Sequence, residues 1–165
     1  MITVTLGTIP IAFNRIVNWL EILLEDGTIS EPLFVQHGVS DISPIFMNPL
    51  VTAVTTVGKP DLLARVIESR FVISHAGQGS TRWLVSCKKS FTVVPRLARY
   101  HEHIDDHQLM FTKSMHPLGV HYCLSLEELR SAIVNLPPLI SGELLQGPKL
   151  TDHLLQVYPP EIVNR

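Results

Sequence analysis

The chain has 165 residues, a formal charge of -2 and 45% apolar residues, enough for one domain with a proper core. That charge gives no electrostatic case for binding nucleic acid, and no apolar run reaches the ~18 residues of a membrane-spanning helix. Cys87 and Cys123 form no C-x-x-C pair, which fits two buried thiols in a reducing compartment rather than a disulfide framework.

Ile2–Leu6 reads as a first strand, ending at Gly7-Thr8, with no basic segment before it that would suggest a signal peptide. Pro10 separates it from a helix over about Phe13–Glu25. Phe13, Ile16, Val17, Leu20, Leu23 and Leu24 share one face of that helix, and Asp26-Gly27 stops it. Leu33–Gln36 is a second strand, residues 39–50 with Pro44 and Pro49 are loop, and Val51–Val54 is a short third strand. A helix starts at Pro60-Asp61, with Leu62, Leu63, Val66 and Ile67 predicted to face inward. Phe71–Ser74 is a strand of buried type, followed by His75-Ala-Gly-Gln-Gly-Ser80 and a helix over Ser80–Ser86. Phe91–Val94 is a strand stopped by Pro95, and the polar stretch Arg96–His103 leads to a helix over about Asp105–Met115. Val120–Cys123 is predicted as a last strand. Ser125-Leu-Glu-Glu128 is a capping box opening a helix to about Leu136. The domain is taken as 1–136, and the proline-containing tail 137–165 as an irregular or partner-docking segment.

Strand and helix alternate, which predicts an α/β fold, a parallel sheet with helices on both faces and ligands at the carboxyl ends of the strands. Gly7-Thr8, His75–Ser80 and Pro95–His107 should therefore share one rim. Gly77 and Gly79 permit a sharp turn and a close ligand approach. Ser80 is predicted as the N-cap of the next helix, whose unpaired N–H groups and positive dipole end suit a phosphate or diphosphate. The spacing is neither G-x-G-x-x-G nor a P-loop. The run His101, His103, Asp105, Asp106, His107 offers metal-binding side chains, but alternation along a loop sends them to different sides, and no metal is expected.

Two separated motifs, Ser74-His-Ala-Gly-Gln-Gly-Ser80 and Val93-Val-Pro-Arg-Leu-Ala-Arg-Tyr-His-Glu-His-Ile-Asp-Asp-His-Gln108, carry a resemblance. In that order they resemble the C-terminal, donor-binding half of GT-B glycosyltransferases, over roughly residues 1–125. The likeness is greatest to split transferases whose donor and acceptor halves are separate chains. These include exopolysaccharide glucuronosyltransferase and galactosyltransferase subunits and the catalytic subunit of the dolichol-linked UDP-GlcNAc transferase. The opening Val4-Thr-Leu-Gly-Thr8 and Phe13-Asn-Arg15 also match.

The resemblance implies one Rossmann-like half of a GT-B fold and an inverting, metal-independent sugar transfer from a UDP-sugar. His75, Gly77, Gln78, Gly79 and Ser80 would lie against the diphosphate; Gly7 would belong to the donor site, and Thr8 would reach the diphosphate or the reacting centre. Asp106, His107 and Gln108 would meet the sugar. Arg96 and Arg99 would reach the diphosphate or a sugar carboxylate, or else lie in a solvated loop. No general base is evident, and Thr8 and His75 are the candidates for a catalytic part. UDP-glucuronate is the first-choice donor, with UDP-galactose and UDP-GlcNAc as alternatives. The implied partners are a membrane-associated acceptor-binding subunit and a lipid-linked saccharide, which places the chain in the cytoplasm at the membrane face. One departure stands out: Trp83 occupies the position where many relatives carry a ribose-binding glutamate. A non-catalytic nucleotide-sugar-binding module and an unrelated flavodoxin-like nucleotide binder are the other readings.

Overall fold

The computed structural model describes residues 1–140, so most of the tail assigned to partner docking lies outside the described residues. Five parallel strands form one sheet: β1 (Ile2–Thr5), β2 (Leu33–Gln36), β3 (Val51–Val54), β4 (Phe71–His75) and β5 (Phe91–Val94), in the order β3-β2-β1-β4-β5. The register runs Val4↔Val35 and Val4↔Ile73 across the centre. The chain winds outward from β1 in one direction and then from β4 in the other, so strand order reverses between β1 and β4. Loops leaving those two strands diverge at that point and open a crevice at the carboxyl rim.

Side-chain alternation divides the core into two layers. Ile2, Val4, Leu33, Val35, Phe71 and Ile73 face α1 (Asn14–Glu25) and α5 (Leu126–Val134) in one cluster. Val72, Phe91 and Val93 face the other way, against Val66 of α2 (Lys59–Glu68), Leu84 and Val85 of α3 (Gln78–Ser86) and Met115 of α4 (His107–Met115). α1 buries the stripe its periodicity predicts, with Ile16, Val17, Leu20, Leu23 and Leu24 all buried. The capping box of α5 is present: Ser125 Oγ accepts the Glu128 amide at 3.2 Å, and the Glu128 carboxylate accepts the Ser125 amide at 3.2 Å.

The structure departs from the sequence expectations in several places. Only Val66 of the predicted inward set on α2 is buried. Leu62 is half-buried, while Leu63 and Ile67 are 38% and 57% exposed. The helix is turned so that Arg65 lies over the Phe34 ring at 5.3 Å. Val120–Cys123 does not form a strand; it adds one parallel bridge, Val93↔Tyr122, with the Cys123 amide donating to Val93 O at 3.0 Å. The helix predicted from Asp105 begins at His107, because the Asp105 carboxylate turns back to accept the His107 amide at 3.0 Å. Replacing Ser125 by alanine is expected to lower the unfolding free energy by about 1 kcal/mol. Leu20→Ala is expected to lower it by about 3 kcal/mol. Both should appear as midpoint shifts at constant slope in urea titrations.

Candidate functional site

The predicted rim forms. The loops after β1, β4 and β5, which carry Gly7-Thr8, His75–Ser80 and Pro95–His107, leave parallel strands at the same end of the sheet.

His75 ends β4, and its ring lies between the loops after β1 and β4. A Cβ on Gly7 would meet His75 Cε1 at 2.9 Å, and one on Gly77 would meet His75 Nε2 at 2.5 Å. Both positions are therefore glycine because the imidazole fills the space a side chain would take. Gly7 also has φ +81°, which L residues rarely adopt. His75 Nδ1 sits 3.3 Å from Thr5 O. That contact suits an Nδ1–H donor and leaves Nε2 as an acceptor. Burial holds the His75 pKa below its ordinary value, with the Arg96 charge adding to the effect and the Thr5 carbonyl opposing it. The ring is neutral at pH 7.

The helix after this turn starts earlier than the sequence suggested. α3 begins at Gln78 with Gly77 as its N-cap, so Ser80 lies inside the first turn and does not cap it. The first turn closes when Thr81 N and Oγ1 both donate to Gly77 O at 2.9 Å. No residue with a side chain fits at the cap, because His75 is already there. The amides of Gln78, Gly79 and Ser80, like those opening any helix, have no carbonyl within it to bond, and no side chain caps them. A Cβ at Gly79 would meet nothing within 4 Å. Thr8, Gln78 and Gly79 are exposed, and Ser80 is half-buried.

Arg96 is neither in a solvated loop nor free for a ligand. It is 1% exposed. Nη1 donates to Ile11 O at 2.6 Å and Glu102 O at 3.1 Å, Nη2 donates to Leu6 O at 2.9 Å, and the guanidinium lies over the Phe13 ring at 4.7 Å. Burial brings its pKa down to about 10, against the pull of Glu102, so the charge persists at neutral pH. Glu102, 3% exposed, accepts Arg15 Nε and Nη2, each at 2.8 Å, and the Leu97 amide at 3.0 Å. Arg15 also donates to Pro95 O at 2.9 Å. These ties lock the loop after β1 and the start of α1 to the segment after β5.

Gln108 Oε1 accepts the Arg96 amide at 3.1 Å, which leaves its Nε2 donors for another partner. Asp106 Oδ1 accepts the Ala98 amide at 3.0 Å. His107 is exposed and 3.2 Å from the Asp105 carboxylate, which also contacts His103 Nδ1 at 2.9 Å. Among the described residues, no group of three His, Cys, Asp or Glu side chains is placed to hold a metal ion. Trp83 packs half-buried against the second core cluster. Cys123 is buried, and burial pushes its thiol up to about 12, which removes it as a nucleophile.

One organising residue was not singled out from the sequence. Gln36, 3% exposed, ends β2. Its Oε1 accepts Thr5 Oγ1 at 3.0 Å and the Gly7 amide at 3.2 Å, and its Nε2 donates to Gly7 O and Thr55 O, each at 2.9 Å. The available signal was an amide closing an otherwise apolar strand.

The sequence matches no protein-family model and no curated protein. Solved structures do match. The glycotransferase of kitacinnamycin superimposes with TM-score 0.56 at 18% identity, over 80% of this chain and 33% of that one. ALG13, determined by NMR in solution, gives TM-score 0.57 at 19% identity, over 86% of this chain and 89% of that one. The glycosyltransferase SnogD from Streptomyces nogalater gives 0.51 at 18% identity, over 84% and 41%. The chain thus spans about a third of the first structure's length. These likenesses establish the fold: a Rossmann-like α/β domain with the architecture of one half of a GT-B glycosyltransferase.

Two outcomes follow. Gly77→Ala should destabilise the protein by about 2 kcal/mol, and by much less in a His75→Ala background. Equal cost in the two backgrounds would show that the ring is not what excludes the Cβ. The second concerns pH. Unfolded His75 takes up a proton near pH 6.5, and folded His75 only at lower pH. Its stabilising contribution is therefore complete above about pH 6.5 and is lost as pH falls from there toward the folded value. Urea titrations across this window should show a smaller loss for His75→Gln than for the parent. His121, also lowered by burial, contributes with the same sign in both proteins.

Proposed function

We propose that this chain is the donor-binding subunit of an inverting glycosyltransferase, moving a sugar from a UDP-sugar to a lipid-linked saccharide in exopolysaccharide synthesis, together with a membrane-associated partner subunit that holds the acceptor. The observation that carries this reading is the uncapped start of α3 beside the crevice, where the Gln78, Gly79 and Ser80 amides have no side-chain cap and a Cβ at Gly79 would point into open space. A diphosphate there meets backbone donors and the positive end of the helix dipole. Those donors stabilise the departing UDP without a metal. Gln108 has its Nε2 donors available for sugar hydroxyls. The neutral His75 ring acts by spacing the two loops, not by supplying positive charge.

Glucuronate remains the first choice of sugar. Arg96 is committed to carbonyls, so the cation for a carboxylate is Arg99, which is exposed and stacked on Tyr100 at 4.8 Å. Among the described residues no helix is long and apolar enough to cross a membrane, and the reading assigns the membrane contact to the partner subunit on the cytoplasmic face.

Calorimetric titration in EDTA with UDP, UDP-glucuronate, UDP-galactose and UDP-GlcNAc tests this reading. Gly79→Asp places a carboxylate in the open space at the first turn of α3. It should leave stability unchanged or slightly improved and weaken UDP binding roughly tenfold or more. Arg99→Gln should weaken UDP-glucuronate but not UDP-galactose. UDP binding that is indifferent to Gly79→Asp would remove the proposed diphosphate site.

A further inference from the structure

β3 is an open edge of the sheet. Among the described residues it pairs with β2 alone. The Leu33 amide donates to Leu50 O at 2.8 Å, and the His37 amide donates to Val54 O at 3.0 Å. The even-numbered residues of this stretch therefore turn their backbone groups toward β2, and the odd-numbered ones turn theirs away. Some of these outer groups are already used. The Val51 amide donates to Asn48 O at 3.0 Å. Thr55 O turns back to accept the Gly38 amide at 3.0 Å and Gln36 Nε2 at 2.9 Å. Val51 O, the N–H and C=O of Ala53 and the Thr55 amide have no partner among the described residues.

Soluble proteins guard such an edge with a charge, a proline or a bulge. This one carries no guard. Residues 42–58 contain no charged side chain, and no proline stands between Pro49 and Pro60. Val51, Thr52, Val54, Thr55, Thr56 and Val57 are β-branched, the type that packs best on a pleated surface. No residue of β3 is fully buried, and Thr52 is exposed. The turn entering the strand leaves Phe46 and Met47 62% and 87% exposed.

The unpaired groups are complementary to themselves about a two-fold axis at Ala53. In an antiparallel pair of β3 strands each Ala53 amide meets the other copy's Ala53 O, and each Thr55 amide meets the other's Val51 O. The remaining groups of that register, Val51 N and Thr55 O, are already satisfied within the protomer. Thr52 falls opposite the other Val54, and Val51 opposite the other Thr55, which are favourable cross-strand pairs. No charge meets itself across the axis. An antiparallel partner also brings the residues after its own β3 to the end where Phe46 and Met47 offer apolar surface.

We infer that β3 is a homodimer interface, where two copies of this chain pair edge to edge and antiparallel about Ala53, joining two five-stranded sheets into one. β2 and β1 lie between this edge and the crevice, so the pairing leaves both crevices open. Nothing in it depends on what the crevice binds.

Sedimentation equilibrium of the full chain tests the pairing without any donor sugar. The expected result is a monomer–dimer equilibrium with a dissociation constant of roughly micromolar order. Thr52 is exposed, so Thr52→Lys and Thr52→Glu should each keep the circular dichroism of the parent. The two Thr52 positions lie diagonally across the axis, roughly 7 Å apart. Like charges there should weaken association roughly tenfold or more. An equimolar mixture of the two variants should restore it, with the mixed dimer favoured over either homodimer. A parent that stays monomeric up to about 1 mM overturns the inference. So does a parent dimer that both charged variants reproduce unchanged, because the contact then lies elsewhere. A mixture that pairs no better than its components overturns it as well, since the two positions then do not meet.

Discussion

The arrangement of the rim depends on one buried cation. Taking a guanidinium out of water costs several kcal/mol, and Arg96 is recovered from that cost only because Leu6 O, Ile11 O and Glu102 O converge on it while the Phe13 ring lies over its face. Charge-assisted bonds of this kind are worth about 2 kcal/mol each. Carbonyls from the chain after β1 and from the turn after β5 can meet at one guanidinium only if both segments hold a single path. Two segments far apart in sequence are thereby fixed relative to each other without a strand or helix between them. Glu102 extends the same logic outward, joining Arg15 at the start of α1 to the Leu97 amide.

The crevice follows from this framework by exclusion of volume. Once the chain after β1 is held, the His75 ring has one place to go, and it takes the space of two missing Cβ atoms, at Gly7 and Gly77. The helix cap then falls on Gly77. The amides of the next turn carry no side-chain cap. The uncapped amides here accompany a histidine ring packed against backbone, with the buried Arg96 cation turned away toward carbonyls.

Much of this was legible in the sequence, and the failures have physical causes. The five strands, the buried face of α1 and the capping box of α5 are local patterns set by alternation, helical period and a single side-chain-to-backbone exchange. The convergence of three strand ends on one rim followed from the alternation of strand and helix. What periodicity could not reveal were properties set by distant partners. Leu63 and Ile67 fit an inward stripe, yet α2 leaves them exposed and sets Arg65 over the Phe34 ring. Ser80 has the chemistry of a cap but lost the position to Gly77, because a histidine side chain had filled the space beside it. Arg96 looks like a surface ligand in a polar run, and its burial rests on carbonyls from residues far back in the chain. Gln36 looks like the frayed end of a strand and is instead a saturated amide in the interior.

That amide also sets how motion travels. β3 is the outer strand on its side of the sheet, and none of its residues is fully buried, whereas β1 is paired on both sides and wholly buried. Hydrogen exchange would therefore begin at β3 and reach β1 last, since local opening follows the density of buried contacts. Most such openings would pass unnoticed at the crevice, which is built on the far side of β1. Gln36 is the exception, because the same Nε2 that holds Thr55 O beyond the end of β3 holds Gly7 O beside His75. The edge of the sheet and the rim are thus held by the same side-chain amide.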